Sequence, residues 1–185
     1  MINPTMIGTN IYLRPVEIGD IDRGWQKWIN EESVIEFLDG VYPVTKDNLL
    51  KYYHENQPSR AIMFSICDKS GDTYIGNAKP GSINWINRTC SYDRIIGPEK
   101  YKGKGYGSEA LILLVKYGFM KLGMNRICSG AIEGNIASLK SNEKVGFVQE
   151  GIQREAVWRN GKYNNVILLA ITRNDFLKKY GSTEK

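Results

Sequence analysis

The sequence predicts a single α+β domain in which a mostly antiparallel central sheet carries helices on its faces. Three observations predict it. Strand-like and helical runs alternate along the chain. An apolar run, Ile95-Ile96-Gly97, leads through a glycine-rich turn into the amphipathic stretch from Leu111 to Leu122. The last third reads as a hairpin closed at Asn160-Gly161. At 185 residues the chain is long enough to bury a core without staples, and one domain over residues 1–185 is expected.

Each element has a local reason. Asn10 to Arg14 reads as a strand, and Asp20 is expected to cap a short helix through Asn30 with Trp25, Trp28 and Ile29 on one face. Thr45 caps a second helix to about Asn56. Ala61 to Cys67 and Tyr74 to Ile86 read as strands around the turn Lys69-Ser70-Gly71-Asp72, and Ser91 to Ile96 is the strand feeding the glycine turn. Leu111, Leu114, Val115 and Gly118 repeat at helical spacing, and Arg126 to Ala131 is a further strand. Asn135 is placed to cap a run ending at Val145, where Gly146 stops it. Phe147 to Arg159 and Tyr163 to Ile171 flank Asn160-Gly161, which suits a type I′ turn, and a helix from Thr172 to Tyr180 follows.

The glycine turn, Lys102-Gly103-Lys104-Gly105-Tyr106-Gly107-Ser108, carries the functional signal. A strand, a glycine-rich turn and a helix start expose backbone N–H groups at the positive end of a helix dipole, a ready seat for a phosphate. The nucleotide P-loop order G-x-x-x-x-G-K-[ST] is absent, and so is G-x-G-x-x-G. A helix-entry turn with excess glycine is the structural alternative. Charge favours the anion seat: residues through Tyr92 carry a net −2, and those from Asp93 onward a net +7.

Composition excludes other classes. The 42% hydrophobic and 24% charged fractions are ordinary for a globular protein, and no apolar run is long enough to span a bilayer. Neither a signal peptide nor a nucleic-acid motif is seen, so cytoplasmic residence is expected, with no membrane or nucleic-acid partner. Cys67, Cys90 and Cys128 are read as buried thiols and His54 as a surface residue, so no metal set is expected.

Taken together, Ile95-Ile96-Gly97, the loop Lys102 to Gly107, Asn135-x-x-Ser138 and Glu143-Lys144-Val145-Gly146-Phe147 resemble the GNAT N-acetyltransferases. The likeness is strongest to the branch with the ribosomal-protein N-terminal acetyltransferases and spermidine acetyltransferase. It runs from Leu13-Arg14-Pro15 with Asp20 through Gly151 and Asn160-Gly161-Lys162-Tyr163. It implies a splayed sheet, a cofactor-binding core at about residues 91–146, and acetyl-CoA as co-substrate without a metal. By resemblance the cofactor loop comprises Lys102, Gly103, Lys104, Gly105, Tyr106, Gly107 and Ser108. Lys102 stands where Gln or Arg is usual. Ile95 and Ile96 would pair with the pantetheine arm, and Asn135 and Ser138 would approach it or the sulfur.

Acyl transfer to an amine needs proton removal, attack on the thioester and stabilisation of a tetrahedral oxyanion. A backbone N–H near Ile96 is a candidate for the oxyanion. Many family members place a general-acid tyrosine where Asn142 stands, so Ser138 is the candidate acid. Asp93 is the candidate base, with a structural ion pair to Arg94 or Lys100 as the competing reading. Glu155 and Tyr163 are weaker alternatives. Asn165 replaces a frequent aspartate, Trp158 and Arg159 lie in the segment that approaches the acceptor, and Trp85 is expected in the core or as a groove wall.

The acceptor stays open at this level. The segment Gly76 to Ile86 resembles members tied to surface-polysaccharide synthesis, which suggests an amino-sugar nucleotide. A protein N-terminus is the second candidate. A polyamine or aminoglycoside would want an acidic pocket, for which Glu31, Glu32, Glu36 and Asp39 are available, or they form a solvated face. A silent CoA-binding sensor or interaction module is the alternative class, and a homodimer through the edge of the last hairpin is left open.

Overall fold

Eight strands follow the order β1-β2-β3-β4-β5-β6-β8-β7 in the computed structural model, which describes residues 1–36, 38, 42–56 and 62–181. They are β1 (Met6–Ile7), β2 (Ile11–Pro15), β3 (Phe64–Asp68), β4 (Thr73–Asn84), β5 (Thr89–Ile96), β6 (Arg126–Ile132), β7 (Val148–Arg159) and β8 (Lys162–Thr172). The helices are α1 (Gln26–Trp28), α2 (Glu32–Ile35), α3 (Lys46–Glu55), α4 (Tyr106–Met120), α5 (Ile136–Val145) and α6 (Arg173–Tyr180). β1 to β4 pair antiparallel in turn, as do β6 with β8 and β8 with β7, while β5 meets β6 in parallel over Thr89–Ser91. The fold is the expected α+β type with a mostly antiparallel sheet. Contacts group the chain into two compact units, Met1–Lys79 with Asp93–Leu113 and Pro80–Tyr92 with Leu114–Lys185.

In the first unit Trp25, Trp28, Ile29 and Leu49 pack on Tyr12, Cys67 and Tyr74. The helical segment before α1 is a π-type turn, Ile21–Trp25. Asp20 does not cap it. Its carboxylate lies fully buried and accepts from Arg14 (2.6 and 2.8 Å), Ser65 (2.7 Å) and the Glu17 N–H (2.9 Å), which leaves no oxygen for the helix end. Thr45 does cap α3, in a reciprocal capping box with Asn48. The expected strand from Ala61 begins at Phe64, and Ala61 itself lies outside the described residues.

In the second unit Phe119, Met124, Ile127, Val145, Ile171 and Phe176 form the buried centre, with Phe119 and Phe176 rings 5.5 Å apart. A Cβ on Gly118 would run into the Tyr92 hydroxyl, so glycine lets α4 lie close to its strand. Thr172 caps α6 through a second box with Asp175. Gly146 ends α5 in the left-handed region, and Asn160-Gly161 take positive φ at both turn positions. Of the two expectations for Trp85, the core one is corrected: the ring is about half exposed in the turn after β4, beside a nearly fully exposed Ile86.

Candidate functional site

The loop after β5 begins with a short 3-10 turn, Glu99–Tyr101, and ends where α4 starts. Gly103 and Gly105 hold φ of 70° and 86° with open space where a Cβ would stand, so both conformation and access favour glycine. The first ladder bond of α4 runs from the Glu109 N–H to the Gly105 carbonyl at 3.0 Å, and the N–H groups of Tyr106 and Gly107 stand ahead of it at the positive helix end. The Glu109 carboxylate anchors this helix start by accepting from the Asn10 backbone (2.8 Å) and side chain (3.0 Å). Lys102 Nζ donates to Ser33 Oγ at 2.7 Å and pairs with Glu99 at 2.9 Å, which ties the loop to α2. Lys104 is exposed, whereas Tyr106, Gly107 and Ser108 are half-buried.

Beneath the loop, Ile96 and Arg94 approach Gly107, with the nearest atoms 3.8 and 4.0 Å from where its Cβ would be. Burial brings the Arg94 guanidinium down to about 10, which still leaves it cationic at neutral pH. Arg94 was legible only as a partner for Asp93. Its place under the glycine loop depends on which face of β5 points at α4. Asp93 is exposed on the same strand, and Ile95 packs against the aromatic cluster of Trp28 and Tyr74. A Cβ on Gly76 would strike the Ile95 carbonyl oxygen, so β4 passes close to this part of β5.

A polar row on β4 escaped the sequence reading. Cys67 pairs with Tyr74 and Ile66 with Gly76, so Ile75 is an extra residue in β4. The bulge puts Tyr74 and Asn77 on one face, where the Tyr74 hydroxyl donates to Asn77 Oδ1 at 3.1 Å. Asn77 is 7% exposed, and its Nδ2 has no partner among the described residues. Two positions on, the half-buried Lys79 holds its ammonium 5.1 Å from the Tyr52 ring centre, and Tyr52 stands edge-on to Trp25.

Asn135 and Ser138 belong to the second unit. Asn135 Oδ1 caps α5 by accepting from the Ser138 N–H at 3.0 Å. Asn142 is fully buried, and its amide donates to the Ser138 carbonyl at 2.9 Å and lies 3.4 Å from Ser138 Oγ. Its Nδ2 is thus tied to the helix, while its Oδ1 is buried with no partner among the described residues. Asn165 links three pieces: it accepts from the Glu155 N–H, donates to Glu133, and its carbonyl accepts from the Glu133 N–H, each at 3.0 Å. Glu155 takes a φ of 52° in the β7 bulge, and Trp158, about half exposed, packs edge-on against Tyr163.

Cys67 and Cys90 are buried, but Cys128 is only half-buried, short of the expectation. Among the described residues no cluster of three metal-ligating side chains occurs, and no helix is long and apolar enough to cross a membrane. Asp39, one of the four acids considered for a cationic acceptor, lies outside the described residues. Of the others, Glu32 is exposed and Glu31 and Glu36 half-buried.

Residues 10–148 match the family model described as an acetyltransferase (GNAT) domain. The chain is 31% identical over 179 residues to the probable N-acetyltransferase YjcK of Bacillus subtilis, covering 91% of this chain and 97% of that one. It is 26% identical to the spermidine N(1)-acetyltransferase of Escherichia coli K12, over 92% of this chain and 90% of the other. Among solved structures, spermidine N-acetyltransferase from Vibrio cholerae in complex with CoA and spermine superposes with a TM-score of 0.84. That likeness has 25% identity and covers 92% of this chain and 99% of that one.

Proposed function

This chain belongs to the GNAT acetyltransferases, and on that premise we propose that it acetylates a small-molecule primary amine through the loop Lys102–Ser108. The chain is an acetyl-CoA-dependent N-acetyltransferase; the acceptor and the residue roles are our reading. The observation that carries it is the left-handed pair Gly103 and Gly105 opening into the α4 N-terminus, with Arg94 below. These residues fit a pyrophosphate: the Tyr106 and Gly107 N–H groups lie at the positive end of α4, open space surrounds Gly103 and Gly105, and Arg94 and Lys104 supply positive charge. Acetyl-CoA supplies the activated thioester.

The chain's own residues then have assignable tasks. The Tyr106 and Gly107 N–H groups hold phosphate oxygens, with Ser108 completing the turn. The β5 backbone at Ile95 and Ile96 orients the pantetheine arm, and the Ile96 N–H stabilises the oxyanion. Asp93 takes the ammonium proton, directly or through water, and Ser138, in place of a tyrosine at 142, relays to the departing thiolate the proton that the attacking nitrogen releases as the amide forms. Proximity supplies much of the rate, because the reactants are held in line.

The test is thermal unfolding with acetyl-CoA, with ATP and NAD as controls, followed by release of CoA thiol across a panel of primary amines. We expect acetyl-CoA alone to raise the midpoint, with about 2.7 kcal/mol at 100 times Kd. No shift at millimolar acetyl-CoA would overturn the reading. Binding without turnover of any amine would favour a silent CoA-binding module.

A further inference from the structure

The β4 row of Tyr74, Asn77 and Lys79 has no task in the cofactor site, yet it holds the one kind of group a protein core seldom leaves idle. Asn77 is 93% buried by its 7% exposure, its Oδ1 is occupied by the Tyr74 hydroxyl, and its Nδ2 is left with hydrogens to donate. Leaving such a donor without a partner costs free energy, so a buried one that faces a binding region points to a ligand acceptor. The region is the right one. Ile95, on the strand assigned to the pantetheine arm, packs on the same aromatic cluster as Tyr74, and Tyr74 shares a face of β4 with Asn77.

Lys79 extends the row outward. Residues 77 and 79 share a face because strand side chains alternate. Among the described residues the Lys79 ammonium meets the Tyr52 ring and no carboxylate within ion-pair distance. The Tyr52 and Trp25 rings form an aromatic wall beside it. The available polar groups are thus a buried amide donor and a cation. A polyamine, which offers ammonium donors and positive charge, finds no complement in either. A phosphate or carboxylate complements both.

We infer that the acceptor amine carries its own anionic group, a phosphate or carboxylate, and that Asn77 and Lys79 read it from β4 while Tyr52 and Trp25 flank it. This rests on the proposed acetyl transfer at the same site and names its substrate class. Asn77 and Lys79 are positioning and specificity residues; no proton passes through them.

Equilibrium binding to the full chain saturated with CoA tests this without requiring turnover. The probes are glucosamine, glucosamine 6-phosphate, a nucleotide-linked amino sugar, an amino acid and spermidine. The expected result is that at least one anionic amine binds about tenfold or more tighter than glucosamine and spermidine. Asn77→Leu and Lys79→Gln should each weaken that amine by about tenfold, leaving glucosamine and CoA affinities unchanged. The phosphate and carboxylate arms identify which anion is read. Equal binding of charged and neutral amines, preference for spermidine, or a preference that survives both substitutions would overturn the inference. CoA affinity is measured in a separate titration of the ligand-free chain and of each variant, so loss of CoA binding marks failure of the acetyltransfer reading instead. If Asn77→Leu does not fold, Lys79→Gln carries the test alone, because Lys79 is only half-buried and glutamine keeps much of its stem.

Discussion

Asp20 shows how one side chain can be legible in place and misread in role. Burial alone would raise its carboxyl. Arg14, the Glu17 N–H and Ser65 together outweigh that and hold it below its ordinary 3.8. A depressed folded value contributes stability above the ordinary value and loses it as pH falls through the depressed one. The unfolding midpoint should therefore hold level from neutral pH to about 5 and fall below about 4, as differential scanning calorimetry would read it. A midpoint unchanged to pH 3 would contradict the assignment. Asn165 offers a second check. Its amide donates to Glu133, a bond an aspartate cannot make, and Asn165→Asp would set two carboxylates against each other. The substitution should lower stability by about 0.5–1 kcal/mol in denaturant unfolding, with the loss shrinking at high salt.

At the scale of the element, the glycines of the loop Lys102–Ser108 separate conformation from the binding proposed for it. Gly105 holds a φ of 86°, so Gly105→Ala should cost about 1–2 kcal/mol of stability with no ligand present. Gly107 has no such strain and only ordinary contacts around its missing Cβ. Gly107→Ala should leave the ligand-free midpoint unchanged or higher, since alanine favours a helix. It should nevertheless shrink the acetyl-CoA shift, because a methyl group then stands where phosphate oxygens approach. Parallel thermal scans of the two variants would distinguish a strained turn from a binding surface. The elements most legible in sequence were those closed by local chemistry. Thr45, Asn135 and Thr172 cap within three residues, and the Asn160-Gly161 turn needs only its two positive φ angles. Asp20 was misassigned because its partners Arg14 and Ser65 come from two different strands.

For the whole molecule, the fold class was readable and the glycine turn could be singled out because both rest on order along the chain. Arg94 and Asn77 were not, because their roles depend on which way a strand faces, and for Asn77 on a bulge that no local pattern announced. The thiols report on how uniformly the chain is closed. Burial pushes Cys90 up to about 11 and raises Cys67 as well, while Cys128 is half-buried. At pH 8, iodoacetamide should label Cys128 first in the native protein, with Cys67 and Cys90 reacting only on unfolding; mass spectrometry of timed samples gives the order. Finally, the extra residue Ile75 makes β4 a strand with a phase. Up to Tyr74 the alternation runs on one count, and from Gly76 onward on the other. Deleting Ile75 would leave composition and hydrophobicity almost unaltered, yet would turn Asn77 and Lys79 to the opposite face and rotate core residues out with them. A one-residue change in the nearby turn Lys69–Asp72 disturbs the bonds of Lys69 to Gly8 and Asn10 and of Tyr12 to Asp72, but leaves every strand face where it was, provided the strand pairing is kept. Length variation along this chain is thus tolerated by turns and forbidden by a strand whose parity specifies what the site can see.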